Sequence, residues 1–245
     1  MSRPVPLGVI WHDIECGNYL EDLPLWRDLA AEADGPVLDV GAGAGRVALD
    51  LAVRGFDVVG LDIDAELLEA LSARAKQFDV TIETVVADAR TFDLGTDRFG
   101  LVAVPMQTLQ LLPDAAARAE FFVAARRALR PGGHVAIALA DALDSFDGET
   151  DGLPEPDVGE IAGVQYASLP LAVVDEGDYA AIHRLRKVIG DDSVPEEHDV
   201  IRLARVDPVG LADEAEAAAG FEAAELRRIP ATDVYVGSTV VVLRG

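Results

Sequence analysis

Three aspartates stand in or just after successive apolar runs. Asp39 lies within Val37-Leu-Asp-Val40, two residues before Gly41. Asp62 closes Asp57-Val-Val-Gly-Leu-Asp62, and Asp88 follows the run Val80–Ala87. The first run opens into Gly41-Ala-Gly-Ala-Gly45-Arg46. Glycines there let the backbone take angles closed to other residues and approach a ligand without an intervening side chain. The helix that follows presents free N–H groups and a partial positive charge at its start, which suits an anionic group. Asp62 comes 21 residues after Gly41, a spacing suited to an acid that accepts hydrogen bonds from two ribose hydroxyls. Asp88 can accept a hydrogen bond from an exocyclic amine. One acid at the end of a strand reads as a turn or cap residue. Two at successive strand ends, beside a glycine turn, are much harder to read that way.

These residues need a scaffold that brings several strand ends to one edge. The pattern predicts a helix over 22–33, with Trp26, Leu29, Ala30 and Ala33 on one face. It predicts strands at 37–40, 57–62, 80–87, 99–104 and 134–139, alternating with helices at 46–52 and 65–76 and with one from Pro113-Asp114 to Pro131-Gly-Gly. Strands that are apolar throughout and alternate with helices indicate a parallel sheet covered on both faces. Residues 141–160, acidic and rich in Pro and Gly, read as a loop. Three β-type runs follow, Val164–Val174, Tyr179–Ile189 and His198–Val206, separated by Asp175-Glu-Gly-Asp and Gly190-Asp-Asp-Ser. Such spacing predicts antiparallel hairpins. Their apolar residues (Leu169, Leu171, Val173; Ile182, Leu185, Val188; Val200, Ile201, Leu203) are expected to bury one face. Pro208–Ala219 reads as a helix closed by Gly220, with strands at 222–228 and 238–243.

Taken in order, the motifs resemble those of class I S-adenosylmethionine-dependent methyltransferases. Val37–Arg46 is similar to that family's glycine motif and Val58–Asp64 to its ribose-binding strand end. Val86-Ala-Asp88-Ala-Arg resembles its adenine-contacting segment, and Leu129-Arg-Pro-Gly-Gly-His-Val its motif before the fifth strand. The resemblance covers roughly residues 36–140. It implies an α/β fold, a doubly wound and mostly parallel sheet of seven strands with the last antiparallel, and an antiparallel β insert before the last helix. It implies S-adenosyl-L-methionine as cofactor, held by Tyr19, Asp39, Gly41, Ala42, Gly43, Gly45, Arg46, Asp62, Ile63, Asp88, Ala89, Val104 and Met106. In that set Ile63 packs on the adenine, Ala89 offers a backbone contact, and Val104–Met106 lie against the methionine moiety. Gly100 departs from the pattern, standing where the family often has an acid. A nicotinamide dinucleotide is the rival cofactor, but its G-x-G-x-x-G spacing is not met, since Gly45 comes one place early and Arg46 stands at the third glycine. The family has no universal catalytic residue, because methyl transfer from a sulfonium chiefly needs an aligned nucleophile. His12, Gln107 and Gln110 are the candidates for contact with the acceptor or for base catalysis. No metal is expected.

Composition narrows the partners. The 245 residues carry 44 acids against 20 Lys and Arg, a net charge of −24. Such a field repels phosphate backbones and anionic membranes, so the expected partner is a small-molecule acceptor, with no nucleic acid and no membrane. Cys16 is the only cysteine, which rules out an intrachain disulfide and a thiolate zinc cluster. No apolar run approaches the ~18 residues that would span a bilayer, and the first residues lack a signal peptide's apolar core. A cytoplasmic monomer or homodimer is expected. Four segments follow: an N-terminal lid and helix over 1–35, a cofactor-binding core over 36–140, a β-rich insert over 141–207 as the expected acceptor cover, and the last helix with two core strands over 208–245. From another class, the chain could be a cofactor-binding but non-catalytic interaction protein.

Overall fold

Val37-Leu-Asp-Val40 is buried at every position, as a strand inside a parallel sheet covered on both faces must be. The computed structural model describes residues 5–140, 143–144, 146–149, 153–190, 193–232 and 235–245. The first elements are α1 (Leu7–Cys16), α2 (Leu23–Glu32), β1 (Val37–Val40), α3 (Arg46–Val53), β2 (Val58–Asp62), α4 (Ala65–Gln77), β3 (Glu83–Val86) and β4 (Phe99–Val104). After a 3-10 turn at Thr108–Leu111 come α5 (Ala115–Ala128), β5 (Leu129–Ala140), β6 (Phe146–Asp147), β7 (Asp157–Ile161) and β8 (Val164–Asp175). The last are β9 (Tyr179–Ile189), β10 (Glu197–Ala204), α6 (Pro208–Ala219), β11 (Glu222–Ile229) and β12 (Ser238–Arg244). The expected Gly190–Ser193 turn falls partly on residues 191–192, and the expected 141–160 loop partly on 141, 142, 145 and 150–152; these, like the first four residues of the N-terminal arm, lie outside the described residues.

The chain divides into two units. Leu20–Asp141 with Val206–Gly245 form one, and Met1–Tyr19 with Ala142–Arg205 form the other. The 1–35 segment therefore spans both, with α1 in one unit and α2 in the other.

The larger unit is a seven-stranded sheet in the order β11-β12-β5-β4-β1-β2-β3. Strand β12 runs antiparallel to both neighbours, while the pairs among β1 to β5 are parallel. This is the doubly wound α/β sheet, last strand antiparallel, that the sequence predicts. Phe99, Phe121, Phe122 and Phe221 pack with the inner residues of β1, β4, β5 and β12 in one apolar core. Helix starts are fixed locally: Asp64, Asp114 and Asp207 each accept a hydrogen bond from a first-turn N–H of the helix that follows. Strand β3 is shorter than the predicted 80–87. Val80 is spent closing α4, its N–H donating to the Ala75 carbonyl. Strand β5 starts at Leu129, earlier than predicted, because Leu129 already pairs with Phe99 and the Pro-Gly-Gly turn is absorbed as an irregularity of the ladder.

The second sheet has the order β10-β9-β8-β6, with β7 also paired to β8, and all its pairs are antiparallel. Its three long strands match the predicted runs closely. Strand β7 falls inside the predicted loop. Its more buried positions are Asp157, Gly159 and Ile161, two of which carry no apolar signal. Asp157 is paired to Arg184, and Gly159 leaves room for Ile14, which would lie 3.0 Å from a Cβ there.

The expectation that nine apolar residues share one face is corrected by the register. Leu169 pairs with Leu185, and Leu185 with His198, on one face. Val173 pairs with Ile182, and Ile182 with Ile201, on the other. Side chains alternate along a strand, so Ile182 and Leu185, three apart, cannot share a face. A bulge between Pro170 and Ala172 reverses the alternation within β8. Helix α1 lies on this sheet through Ile10, Trp11 and Ile14, packed with Ile161 and Tyr166.

Candidate cofactor site

The chain runs from β1 outward to β2 and β3, then returns to the other side of β1 as β4. The strand order therefore reverses between β1 and β4, and open α/β sheets bind ligands at the carboxyl ends of the strands at such a point. The glycine turn leaves β1 there. Gly41, Gly43 and Gly45 all have positive φ, at 73°, 53° and 99°. Gly41 is required for a second reason: a Cβ would lie 2.4 Å from the Thr108 methyl carbon, in the segment after β4. The turn is pinned to β2, since the Gly41 and Ala42 N–H groups both donate to the Leu61 carbonyl, at 2.8 and 3.0 Å.

Asp62 completes the pinning. Its Oδ2 accepts the Gly43 N–H at 2.8 Å and its Oδ1 accepts the Asp64 N–H at 2.9 Å. A carboxylate has about four acceptor sites, so two such bonds orient Asp62 and leave capacity for two more. Ile63, next to it, is 72% exposed, and Val86 at the end of β3 is 57% exposed. Asp88 accepts the Arg90 guanidinium through both oxygens, Nη2 to Oδ2 at 2.5 Å and Nε to Oδ1 at 2.9 Å, and the Arg90 backbone N–H at 2.9 Å. Those hydrogen bonds hold its carboxyl down at about 2. Ala89 packs, half-buried, against the main core.

Asp39 differs from the other two. It is 1% exposed and no side chain donates a hydrogen bond to its carboxyl, the Ala48 N–H being the backbone donor that acts on it. Burial pushes its pKa up to about 7, with the Arg46 guanidinium pulling the other way. Buried polar atoms are normally fully paired, so a buried carboxyl that no side chain hydrogen-bonds, two residues before a glycine turn, is suited to a cationic donor.

Arg46, the first residue of α3, gives its guanidinium to Asp22, including an Nη2–Oδ2 bond of 2.8 Å, and the Trp26 indole N–H donates to the same oxygen at 2.8 Å. The sequence predicts Arg46 at the cofactor; the structure has it joining the glycine turn to α2 through Asp22, which is fully buried. The Asp22–Trp26 spacing, one helical turn, is the only local sign of this link.

After β4, Val104 is buried and Met106 has φ of 53°, an uncommon left-handed conformation for a non-glycine residue. Gln107 is half-buried before the 3-10 turn. Gln110 is 1% exposed, and its Oε1 accepts the Ala140 N–H at 2.9 Å. That bond ties the segment after β4 to the end of β5. His12, on α1, and Tyr19 belong to the unit of the second sheet; the other cofactor candidates sit in the parallel-sheet unit. Among the described residues no group of three or more His, Cys, Asp and Glu is arranged to hold a metal ion, and no helix is long and apolar enough to cross a membrane.

Comparison with known proteins finds methyltransferases. Residues 37–133 match the family described as Methyltransferase domain. An uncharacterized protein of Mycobacterium bovis is 35% identical over 112 residues, 44% of this chain and 39% of that protein. A ubiquinone biosynthesis O-methyltransferase of Psychrobacter arcticus is 31% identical over 190 residues, 73% of this chain and 64% of the relative. The chain thus covers less than two thirds of the length of either. Among solved structures, CalS10, an amino pentose methyltransferase from Micromonospora echinaspora, has the same fold, with a TM-score of 0.70 at 22% identity over 100% of this chain and 99% of that one.

Proposed function

We propose, from the match of residues 37–133 to the methyltransferase domain family, that this chain transfers a methyl group from S-adenosyl-L-methionine to a small-molecule acceptor. The observation that carries the reading is the set of acids in β1, at the end of β2 and just after β3, each in a different hydrogen-bonding state, with Asp62 bonded to the glycine turn itself. Asp62, already oriented by Gly43, keeps acceptor capacity for two ribose hydroxyls. Asp88, held ionised by Arg90, is an acceptor for the adenine amine, and the exposed Ile63 side chain is an apolar surface for the ring. Asp39, buried and without a side-chain hydrogen-bond donor, suits the cationic amino group of the methionine moiety. Gly41 and Gly43 let the backbone approach without a side chain, and Met106 follows on the methionine side.

When bound, the cofactor supplies a methyl group on a sulfonium, a strong electrophile. The task left to the chain is to fix orientation and keep water out, which lowers the barrier mainly by positioning. A base is needed only for an acceptor that arrives protonated, and Gln107 and His12 are the candidates for contact with it. The acidic surface favours a neutral or cationic acceptor over a polyanion. The P. arcticus relative is an O-methyltransferase and the M. echinaspora structure is an amino pentose methyltransferase; both names fit a small hydroxylated or aminated acceptor here.

Thermal denaturation tests the cofactor. S-adenosylmethionine or S-adenosylhomocysteine should raise the melting temperature by mass action on the folded state, and NAD should leave it unmoved. The reverse pattern would overturn the reading. Asp62→Ala should weaken S-adenosylhomocysteine binding by at least ~10-fold in calorimetry. The lost hydrogen bonds contribute roughly 1.5–3 kcal/mol each where one partner is charged, and ~1.4 kcal/mol is a decade of affinity. Unchanged affinity in a folded variant would mean that Asp62 serves only the turn.

A further inference from the structure

The second sheet carries an open pocket on one face. It has a volume of about 350 Å³, at the small end of the range that holds organic ligands. Leu153, Leu171, Ala172 and Val174 give it an apolar wall, and His183, His198 and Glu149 bring polar groups to it. The register explains the grouping. His183 pairs with both Ala172 and Val200, and His198 with Leu185, so the two imidazoles emerge on one face of adjacent strands. Their rings lie 5.4 Å apart at an interplanar angle of 30°. The bulge at Pro170–Ala172 turns Ala172 and Val174 to that same face, and Gly148 closes one side, its N–H donating to the Leu171 carbonyl at 2.9 Å.

An apolar wall facing two imidazoles and a carboxylate is suited to a ring compound with a polar substituent. Imidazole nitrogens donate or accept, and the ring of a ligand can lie against the aliphatic side chains. With a net charge of −24 and Glu149 at the cavity, an anion is disfavoured. We propose that this cavity binds a small, neutral or cationic ring compound bearing a hydroxyl or amino group, its ring against Leu153, Leu171 and Val174 and its polar group on His183 and His198. The proposal does not depend on the cofactor reading. Two sources share this chemistry, a methyl acceptor and an effector that is not turned over.

Tyramine, a phenol carrying an amine, is the probe. The chain has four histidines, so single His→Gln variants assign each imidazole signal in a proton–carbon correlation spectrum. Titration with tyramine should move the His183 and His198 signals together, to saturation and with one dissociation constant, and leave His12 and His134 in place. Ala172→Phe, which fills the cavity, should weaken that binding by at least ~10-fold, about 1.4 kcal/mol, while S-adenosylhomocysteine still shifts the melting temperature. If that variant does not fold, His183→Leu with His198→Leu should produce the same loss. Signals that never saturate, that move equally in all four histidines, or that persist in the filled variant would overturn the proposal. With binding established, release of S-adenosylhomocysteine on adding tyramine and S-adenosylmethionine identifies the site as one for acceptors, and saturable binding without turnover identifies it as one for effectors.

Discussion

Asp39→Asn is expected to flatten the pH dependence of stability between about pH 5 and pH 8 by roughly 3 kcal/mol. The sign follows from where the group titrates. Burial raises the Asp39 carboxyl from 3.8 to about 7 in the folded protein. Below 3.8 both states are protonated and the group carries no penalty. Between the two values the unfolded chain gives up a proton that the folded chain keeps, so stability falls as pH rises and the loss is complete just above 7. The whole gap corresponds to roughly 4 kcal/mol at ~1.36 kcal/mol per pH unit, most of it lost across the window from about 5 to 8. Asparagine does not titrate there, so its stability relative to aspartate should improve steadily on going alkaline, whatever constant cost its own unpaired amide carries. Urea unfolding of both proteins at the two pH values reads this directly, and a difference that stays constant with pH would show that Asp39 already titrates as an ordinary carboxyl. Cofactor binding adds a second reading. An amine placed beside Asp39 favours its ionised form, so S-adenosylhomocysteine should release a proton on binding near pH 6 in the aspartate protein and none from this group in Asp39→Asn.

The features legible in the sequence were those written locally. The glycine turn needs positive φ at three positions within five residues, and only glycine takes them cheaply. The hairpins announce themselves through short Asp- and Gly-bearing turns between long β-type runs, and Asp207-Pro208 and Gly220 mark both ends of α6. Long-range pairing was not legible. Helix α1 has apolar residues at helical spacing, but nothing near it says that its partners, Tyr166 and Ile161, come some 150 residues later. Asp157 reads as a loop acid because the arginine that neutralises it, Arg184, lies on another strand. The pairing of Arg46 with Asp22 was not legible either, because Asp22 lies 24 residues earlier. In the candidate site the same division holds. The three acids were visible, whereas their differing states depend on neighbours: a turn N–H for Asp62, Arg90 for Asp88, and burial in the sheet for Asp39. The structural use of Gln110 was hidden for the same reason, since its acceptor role serves a backbone N–H 30 residues away.

Glu15→Ala is expected to cost about 3 kcal/mol and to release α1 from the second sheet. Glu15, on α1, reaches the arginines of β9. Its Oε1 and Oε2 accept Nε and Nη2 of Arg186 at 2.7 Å each, and the Ser168 hydroxyl donates to Oε1 at 2.6 Å. Arg184 reaches the group from the other side, 3.5 Å from Oε1, while donating to the Ser168 oxygen at 2.8 Å. Removing one partner of a buried ion pair leaves an uncompensated charge, which typically costs about 3–5 kcal/mol. The lower end applies here, because Arg184 keeps Asp157 and Arg186 keeps Asp199 and Glu197. Hydrogen exchange should show the α1 amides losing protection in Glu15→Ala, with Glu15→Gln in between because the amide oxygen still accepts one hydrogen bond. Full protection in the alanine variant would mean that Trp11, edge-on to Tyr166 at 5.5 Å, holds the helix without the acid. Acid should imitate the mutation. Burial alone would raise the Glu15 carboxyl, but hydrogen bonds from Arg186 and Ser168 and the nearby charges outweigh it and leave it below 4.5. A depressed carboxyl contributes stability that is fully present above its unfolded value and lost as pH falls through the folded one. Protection of α1 should therefore fall below about pH 4.5 in the wild-type chain, while in Glu15→Ala it should already be low and change little there.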